Sequence, residues 1–291
     1  MIYPANLNLA ITAAARAMSN TAETRKNSVS KIASGSKLET EHSDTAAATI
    51  AMKFKSDGVI TGALQANMSN ALSYLGAQSD SLKQLGQHMD RMSELVTSMG
   101  DPTKTTTDQE GYLAEFNQLR GEVVKVQSAQ FNGLNLFYSE GDAASQQVQL
   151  SATNSSATMD LKQADMSKQA GWVALLGFSA PYTGLEGISD TPANLVDPNV
   201  LGGAAFFEGM NQEISQLISD NGSQQKRLKG ALDHSQQEGV STENAYSRIA
   251  DVDVAKELTQ MTRTNILMQS GSAMMSQANV AAQSVLKLFG V

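Results

Sequence analysis

Apolar residues near the start of the chain recur at steps of four and three. Ile11, Ala15, Met18, Ala22, Arg25, Val29 and Ile32 form one such stripe, broken only by Arg25. Residues at this spacing share one face of a helix, so the pattern predicts a helix that pauses at Ser34-Gly35-Ser36. A second stripe begins near Ala46 and runs through Ile50, Phe54, Asp57, Thr61, Leu64, Met68, Ala71, Leu75, Gln78, Leu82, Leu85, Met89, Met92 and Val96. Only Asp57, Thr61 and Gln78 interrupt it. The spacing is heptad-like, and at 1.5 Å per residue it predicts a rod about 70 Å long. A helix of that length lies along other rods and does not wrap a small core. Gly100-Asp101-Pro102 stops it, because proline cannot continue a helix. A further helix is predicted over about 108–129, followed by a turn at Gln130-Phe131-Asn132-Gly133.

The middle of the chain has a different period. Val148, Leu150 and Ala152, then Ala157, Met159 and Leu161, alternate with polar residues on either side of Asn154-Ser155-Ser156, which is a hairpin pattern. Proline and glycine accumulate there, so 134–200 reads as a surface insert of short strands and loops. Helical spacing returns at Phe207, Met210, Ile214 and Leu217 and extends to about 245. The last helix carries Leu267, Gly271, Met274, Ala278, Ala281, Val285 and Leu288. The predicted fold is mainly α: a long coiled-coil-like bundle built by the N- and C-terminal segments, with a small β-hairpin and loop insert in the middle. The terminal stripes are narrow and rich in small residues, so each needs a partner to bury its face. Periodicity alone leaves open whether that partner lies in the same chain or in another subunit.

Composition narrows the choice. Aromatics make up only 5% of the chain, with Trp172 the one tryptophan, which suits helices packed side by side better than a deep globular core. The net charge of −8 and pI near 4.9 exclude a phosphate-backbone binder, which needs a basic face. No run of about 20 apolar residues is present to span a membrane. Cysteine is absent, which removes disulfides, thiolate nucleophiles and cysteine-ligated metals. The N-terminus lacks a basic segment followed by an apolar stretch, so no cleaved signal peptide is expected.

Candidate chemistry is sparse. His42, His88 and His234 lack the His-x-x-x-His or Glu-x-x-His spacing of a metal site. Asp251 and Asp253 lack the further ligands and glycine of a calcium loop, and Asp253 is better placed to cap the last helix. Trp172 reads as an anchor for the insert. Asn154-Ser155-Ser156 and Asn221-Gly222-Ser223 fit the N-glycosylation pattern, a weak signal. Arg25 and Arg263 read equally well as inter-subunit ion pairs or as solvated charges. The insert carries no zincin motif, nucleophile elbow or phosphate loop. No catalytic residue, metal or cofactor is predicted.

A set of short motifs adds a resemblance. Asn6-Leu7-Asn8 resembles the Asn-x-Asn opening of bacterial flagellins. Ile32-Ala33-Ser34-Gly35-Ser36-Lys37-Leu38 resembles their L-S-S-G-L-R-I signature, and Asp44 to Ala51 resembles the D-D-A-A-G-x-A-I-A stretch that follows. Gln130 to Gly133 resembles their Q-F-N-G turn. At the other end, Ser247-Arg248-Ile249-Ala250-Asp251-Val252-Asp253 resembles S-R-I-x-D-x-D. Met261-Thr262-Arg263, Gln269-Ser270-Gly271 and Gln277-Ala278-Asn279 follow at the family's spacing. Each motif is weak alone, but their order and spacing over about 6–133 and 205–291 are specific. Ser36 where leucine is usual, Ala48 for a glycine, and Ala281-Ala282-Gln283 for V-P-Q mark a divergent member.

The resemblance implies a subunit that polymerises with copies of itself into the flagellar filament. It implies inner-tube helices over 1–42 and 254–291, outer-tube helices over 43–140 and 205–253, and an insert over 141–204 with a hairpin at Val148–Met166. Inner-helix filament packing would fall to Ile11, Met18, Val29, Ile32, Leu267, Met274, Val285 and Leu288. Implied partners are the flagellar export chaperone on the C-terminal helix and the hook–filament junction and cap proteins. A vertebrate Toll-like receptor is also implied, meeting Arg91, Leu95 and Glu115. Neither nucleic acid nor membrane insertion is expected, and the location is extracellular. The alternative is a hook–filament junction protein, a relative of comparable length that does not propagate.

Overall fold

The fold was analysed in a computed structural model that describes residues 3–38, 44–137, 145–151, 156–165 and 204–288, without the side chains of 3–11, 145, 204, 282 and 285–288. His42, Asn154, Trp172 and the side chains of Ile11, Val285 and Leu288 therefore lie outside the description. The elements run α1 (Tyr3–Ser34), α2 (Thr45–Met99), α3 (Thr106–Gln127), β1 (Gln130–Phe131), β2 (Leu134–Asn135), β3 (Ser145–Gln149), β4 (Thr158–Lys162), α4 (Ala204–Ala250) and α5 (Val254–Leu288). The chain divides into two compact units. One holds Met1–Val59 with Gly239–Val291, and the other Ile60–Glu238.

The Ile60–Glu238 unit has the conventional core. Every stripe residue of α2 from Thr61 to Val96 is buried, and Leu75, Leu82, Leu85, Met89 and Met92 are wholly so. They meet Phe116 and Val123 of α3 and Phe207, Met210, Ile214 and Leu228 of α4. Phe116 and Phe207 meet edge to face, with centroids 6.0 Å apart. Each fully buried Leu or Met contributes about 1.5–3 kcal/mol relative to exposure, so α2 is held by its seam and not by intrinsic helix propensity. α2 and α4 run antiparallel. As α2 is read backwards and α4 forwards, Asp90 accepts from Asn211, Gln78 from Asn221, and Ser235 accepts from Gln65.

The polar interruption at Gln78 has a structural cause. Its Nε2 donates to the Leu136 carbonyl at 2.7 Å, and its Oε1 accepts from Asn221 Nδ2 at 2.6 Å. Asn221 Nδ2 also reaches the Leu75 carbonyl, and Asn221 Oδ1 accepts from Gln225 Nε2. This buried chain of amides fixes α2, α4 and the strand region in one register, as a buried asparagine does in a coiled coil.

α2 ends at Gly100. Asp101 Oδ1 accepts from the Thr103 backbone and hydroxyl, closing a turn. Thr105 and Asp108 then form a reciprocal capping box at the start of α3. Gln130-Phe131-Asn132-Gly133 is the predicted turn: Phe131 pairs with Leu134, and Asn132 and Gly133 take φ of 51° and 78°. Two positive φ values in a two-residue loop suit the strand twist and explain the Asn-Gly sequence. Tyr74 closes this region, its ring edge-on to Phe131 and its hydroxyl donating to the Asn135 carbonyl. Burial pushes its phenol pKa up. β3 and β4 form an antiparallel hairpin with Val148 opposite Met159, and Met159 and Leu161 point into the core.

In the other unit α1 and α5 lie side by side, with Cα atoms repeatedly within 8 Å. Ser28 and Thr264 are both buried there. The pair is antiparallel, since Lys31 near the end of α1 meets Glu257 near the start of α5 at 3.8 Å. Where both helices break, the backbones bridge each other. Ser36 pairs with Asp251, Lys37 N donates to the Ala250 carbonyl, and Val252 N donates to the Gly35 carbonyl. Gly35 holds φ of 72°, a value that favours glycine.

Candidate assembly surface

A helical pair can bury one face of each member and leaves the opposite faces to solvent. α1 gives α5 its half-buried Met18, Ala22 and Ile32. α5 returns Met261, Thr264, Met268, Gly271, Met275 and Ala278. Apolar residues remain on the far sides: Val29, Leu258, Ile266, Leu267, Met274 and Val280 all stand exposed. Leu258, Thr262, Arg263, Ile266 and Leu267 line a shallow, mostly apolar depression along α5.

The two units differ sharply in this respect. Among the described residues, eleven of the fourteen exposed large hydrophobic side chains belong to the terminal unit, and only Ile60, Val124 and Leu134 to the other. The buried hydrophobic core is distributed the opposite way: among the described residues, Ala51 and Ala250 are the terminal unit's only members. Single exposed apolar residues need no explanation, but eleven on one unit and three on the other is an uneven division.

The predicted packing residues accordingly fall into three groups. Met18 and Ile32 are half-buried against α5, Val29, Leu267 and Met274 are exposed, and Ile11, Val285 and Leu288 lie outside the described side chains. The sequence reading missed the second apolar face of α5, formed by Leu258, Ile266 and Val280. Its signal was the presence of apolar residues on more than one side of the α5 period.

Arg91 and Glu115 come together, and Leu95 does not join them. Arg91 Nε donates to Glu115 Oε1 and its Nη1 to Glu94 Oε2, each at 2.8 Å. Glu115 first, then Glu94, hold the guanidinium still more firmly protonated than usual. Leu95 is only 1% exposed and belongs to the core, so its side chain is not on the surface with the other two. Arg25 and Arg263 are exposed. Asp253 accepts from Lys256 N and caps α5, while Asp251 accepts from Ser247. Asn221 is buried in the amide network, so its Asn-Gly-Ser match is no surface glycan site. Among the described residues, no helix is long and apolar enough to cross a membrane, and no group of three or more metal-ligating side chains assembles.

Long helices with one closed core and one unit of uncovered apolar faces define a polymer-forming structural subunit. Comparison with known proteins gives the family. The bacterial flagellin N-terminal helical region matches residues 5–143, and the flagellin C-terminal helical region matches 205–289. The chain belongs to the bacterial flagellins, a structural protein family, and it is a subunit of the flagellar filament. It is 29% identical to the flagellar filament 33 kDa core protein of Treponema phagedenis, covering 97% of this chain and 98% of that one. It is likewise 29% identical to a flagellin of Halalkalibacterium halodurans over the same shares, and 28% identical to a flagellin of Bacillus subtilis over 94% and 95%. A solved structure from Vibrio parahaemolyticus, described as a flagellar hook-associated protein, shares the fold. It has a TM-score of 0.57 and 14% identity over 70% of this chain and 98% of its own. At that identity the likeness concerns fold alone, and the relatives named as flagellins and filament proteins favour the filament over the junction reading.

Proposed function

We propose that the subunit polymerises through the apolar faces of its terminal unit, with 1–42 and 254–291 as the inner-tube helices and 43–140 with 205–253 as the outer ones. The uneven placement of exposed apolar residues carries this reading. Val29, Leu267 and Met274 are the inter-subunit packing residues, while Met18 and Ile32 hold the pair together. A subunit that adds without closing a ring gives an open helical polymer. Seeded elongation of the purified chain, followed by electron microscopy, tests it. The full chain should extend short filament seeds and a chain lacking 1–42 and 254–291 should not. Equal extension by both removes the terminal helices from the assembly role.

The subunit has no catalytic role in this reading and is placed outside the cell. A chaperone holds the exposed C-terminal helix before assembly, and junction and cap proteins meet the filament's two ends. A Toll-like receptor would meet the Arg91–Glu115 pair on the surface, with Leu95 supporting α2 from beneath. Reduced receptor signalling from Arg91→Ala supports that contact, and unchanged signalling refutes it.

A further inference from the structure

The chain has 14 methionines, two of which, Met1 and Met166, lie outside the described residues. The other twelve partition completely by unit. Met68, Met89, Met92, Met99, Met159 and Met210 are buried in the Ile60–Glu238 unit. Met18, Met52, Met261, Met268, Met274 and Met275 lie in the terminal unit, and none of them is fully buried. Met52 is 73% exposed, the most of any large hydrophobic side chain described, and Met274 is 69% exposed, matched only by Val59. They stand on the unit that carries the uncovered apolar faces.

From this partition we infer that Met52 and Met274 are sites of reversible oxidation, by which hydroperoxides block the free subunit from assembling while leaving its core folded. The chemistry is a two-electron oxygen transfer. The peroxide O–O bond breaks, an S–O bond forms on the thioether, and the peroxide is reduced to water or an alcohol. The product is a polar sulfoxide on a side chain that assembly would have to bury. Buried thioethers are shielded, so the helical core survives the same exposure. Once a subunit is in the filament, its neighbours cover both sulfurs. This inference rests on the terminal unit being the polymerisation surface.

The test treats the purified full chain with dilute hydrogen peroxide before or after seeded elongation and maps sulfoxides by peptide mass spectrometry. Met52 and Met274 should oxidise first in the free chain and be protected in filaments. Subunit addition should fall by roughly tenfold or more for each oxidised residue that assembly buries. Helix melting of the Ile60–Glu238 unit should be unchanged. Methionine sulfoxide reductase should restore elongation, and M52L/M274L should elongate after peroxide treatment. Should the leucine variant fail to elongate even untreated, the reductase arm decides. Elongation of the oxidised chain at the untreated rate overturns the inference, as does oxidation of Met68 and Met89 as fast as Met52. Failure of the untreated chain to extend seeds is a separate result, which counts against the polymerisation surface itself.

Discussion

Replacing Asn221 by alanine tests whether the buried amide chain fixes the helix register. The change removes the Asn221 donor to Gln78 Oε1, at 2.6 Å, inside a core where Gln78 is 1% exposed. Leaving a buried acceptor unpaired costs about 1–3 kcal/mol. The lost packing of the amide adds about 1 kcal/mol, for a total of roughly 2–4 kcal/mol. The Leu75 carbonyl keeps its bond from Gln225, so no second orphan arises there. With a urea slope of about 1–3 kcal/mol/M, the unfolding midpoint followed by circular dichroism should fall by about 1 M. Q78L/N221L separates network from packing, because it removes both partners and strands neither. The Leu136 carbonyl retains the Ala164 N–H at 3.4 Å. The double substitution should therefore cost at least about 1 kcal/mol less than the sum of Q78L and N221L. Additivity within about 0.5 kcal/mol would refute the idea that the two amides act as a unit.

Leu267→Glu places a charge on an exposed apolar face and should abolish seed elongation while shifting stability by no more than about 0.5 kcal/mol, read from the urea midpoint. Gly133→Ala should cost about 1 kcal/mol through backbone conformation alone, since a Cβ there meets no atom within 4 Å, and faster hydrogen exchange of the 130–135 hairpin should report it. Thr105 hydrogen bonds hold the Asp108 carboxyl below its usual 3.8, and those from Thr103 do the same for Asp101. A depressed folded pKa stabilises above the unfolded value and is lost as pH falls through the folded one. The α2–α3 turn should therefore loosen only below about pH 4, and Thr105→Ala should weaken that dependence in amide exchange measured across the titration.

Much of the fold was legible because helical period reports which residues share a face. The stripe from Thr61 to Val96, the break near Gly35 and the Asn-Gly turn all follow from local chemistry. What period does not report is whether anything covers the face. Ile50 continues the stripe that Leu75 and Leu82 belong to, yet it is 47% exposed. On α5 the stripe through Leu267 and Met274 stands exposed, while Thr264 is buried and Met261 and Met275 are half-buried on the neighbouring face. Gln78 looked like a flaw in a heptad until its partner Asn221, on a helix 143 positions away, came into view. The ion pair of Arg91 with Glu115 likewise joins two helices whose relative rotation no linear pattern encodes.

The bridge at Ser36 and Asp251 has a mechanical consequence. A joint crossed by one backbone can swivel about single bonds at little cost. Here two backbones cross together, and they are laced by Lys37 N to Ala250 O at 2.7 Å and Val252 N to Gly35 O at 2.9 Å, with the Lys37 ammonium on the Arg248 carbonyl. Neither strand can twist about the other without breaking those bonds. Torque arriving on the terminal helix pair is therefore shared between both strands at the bridge, as in a keyed shaft coupling.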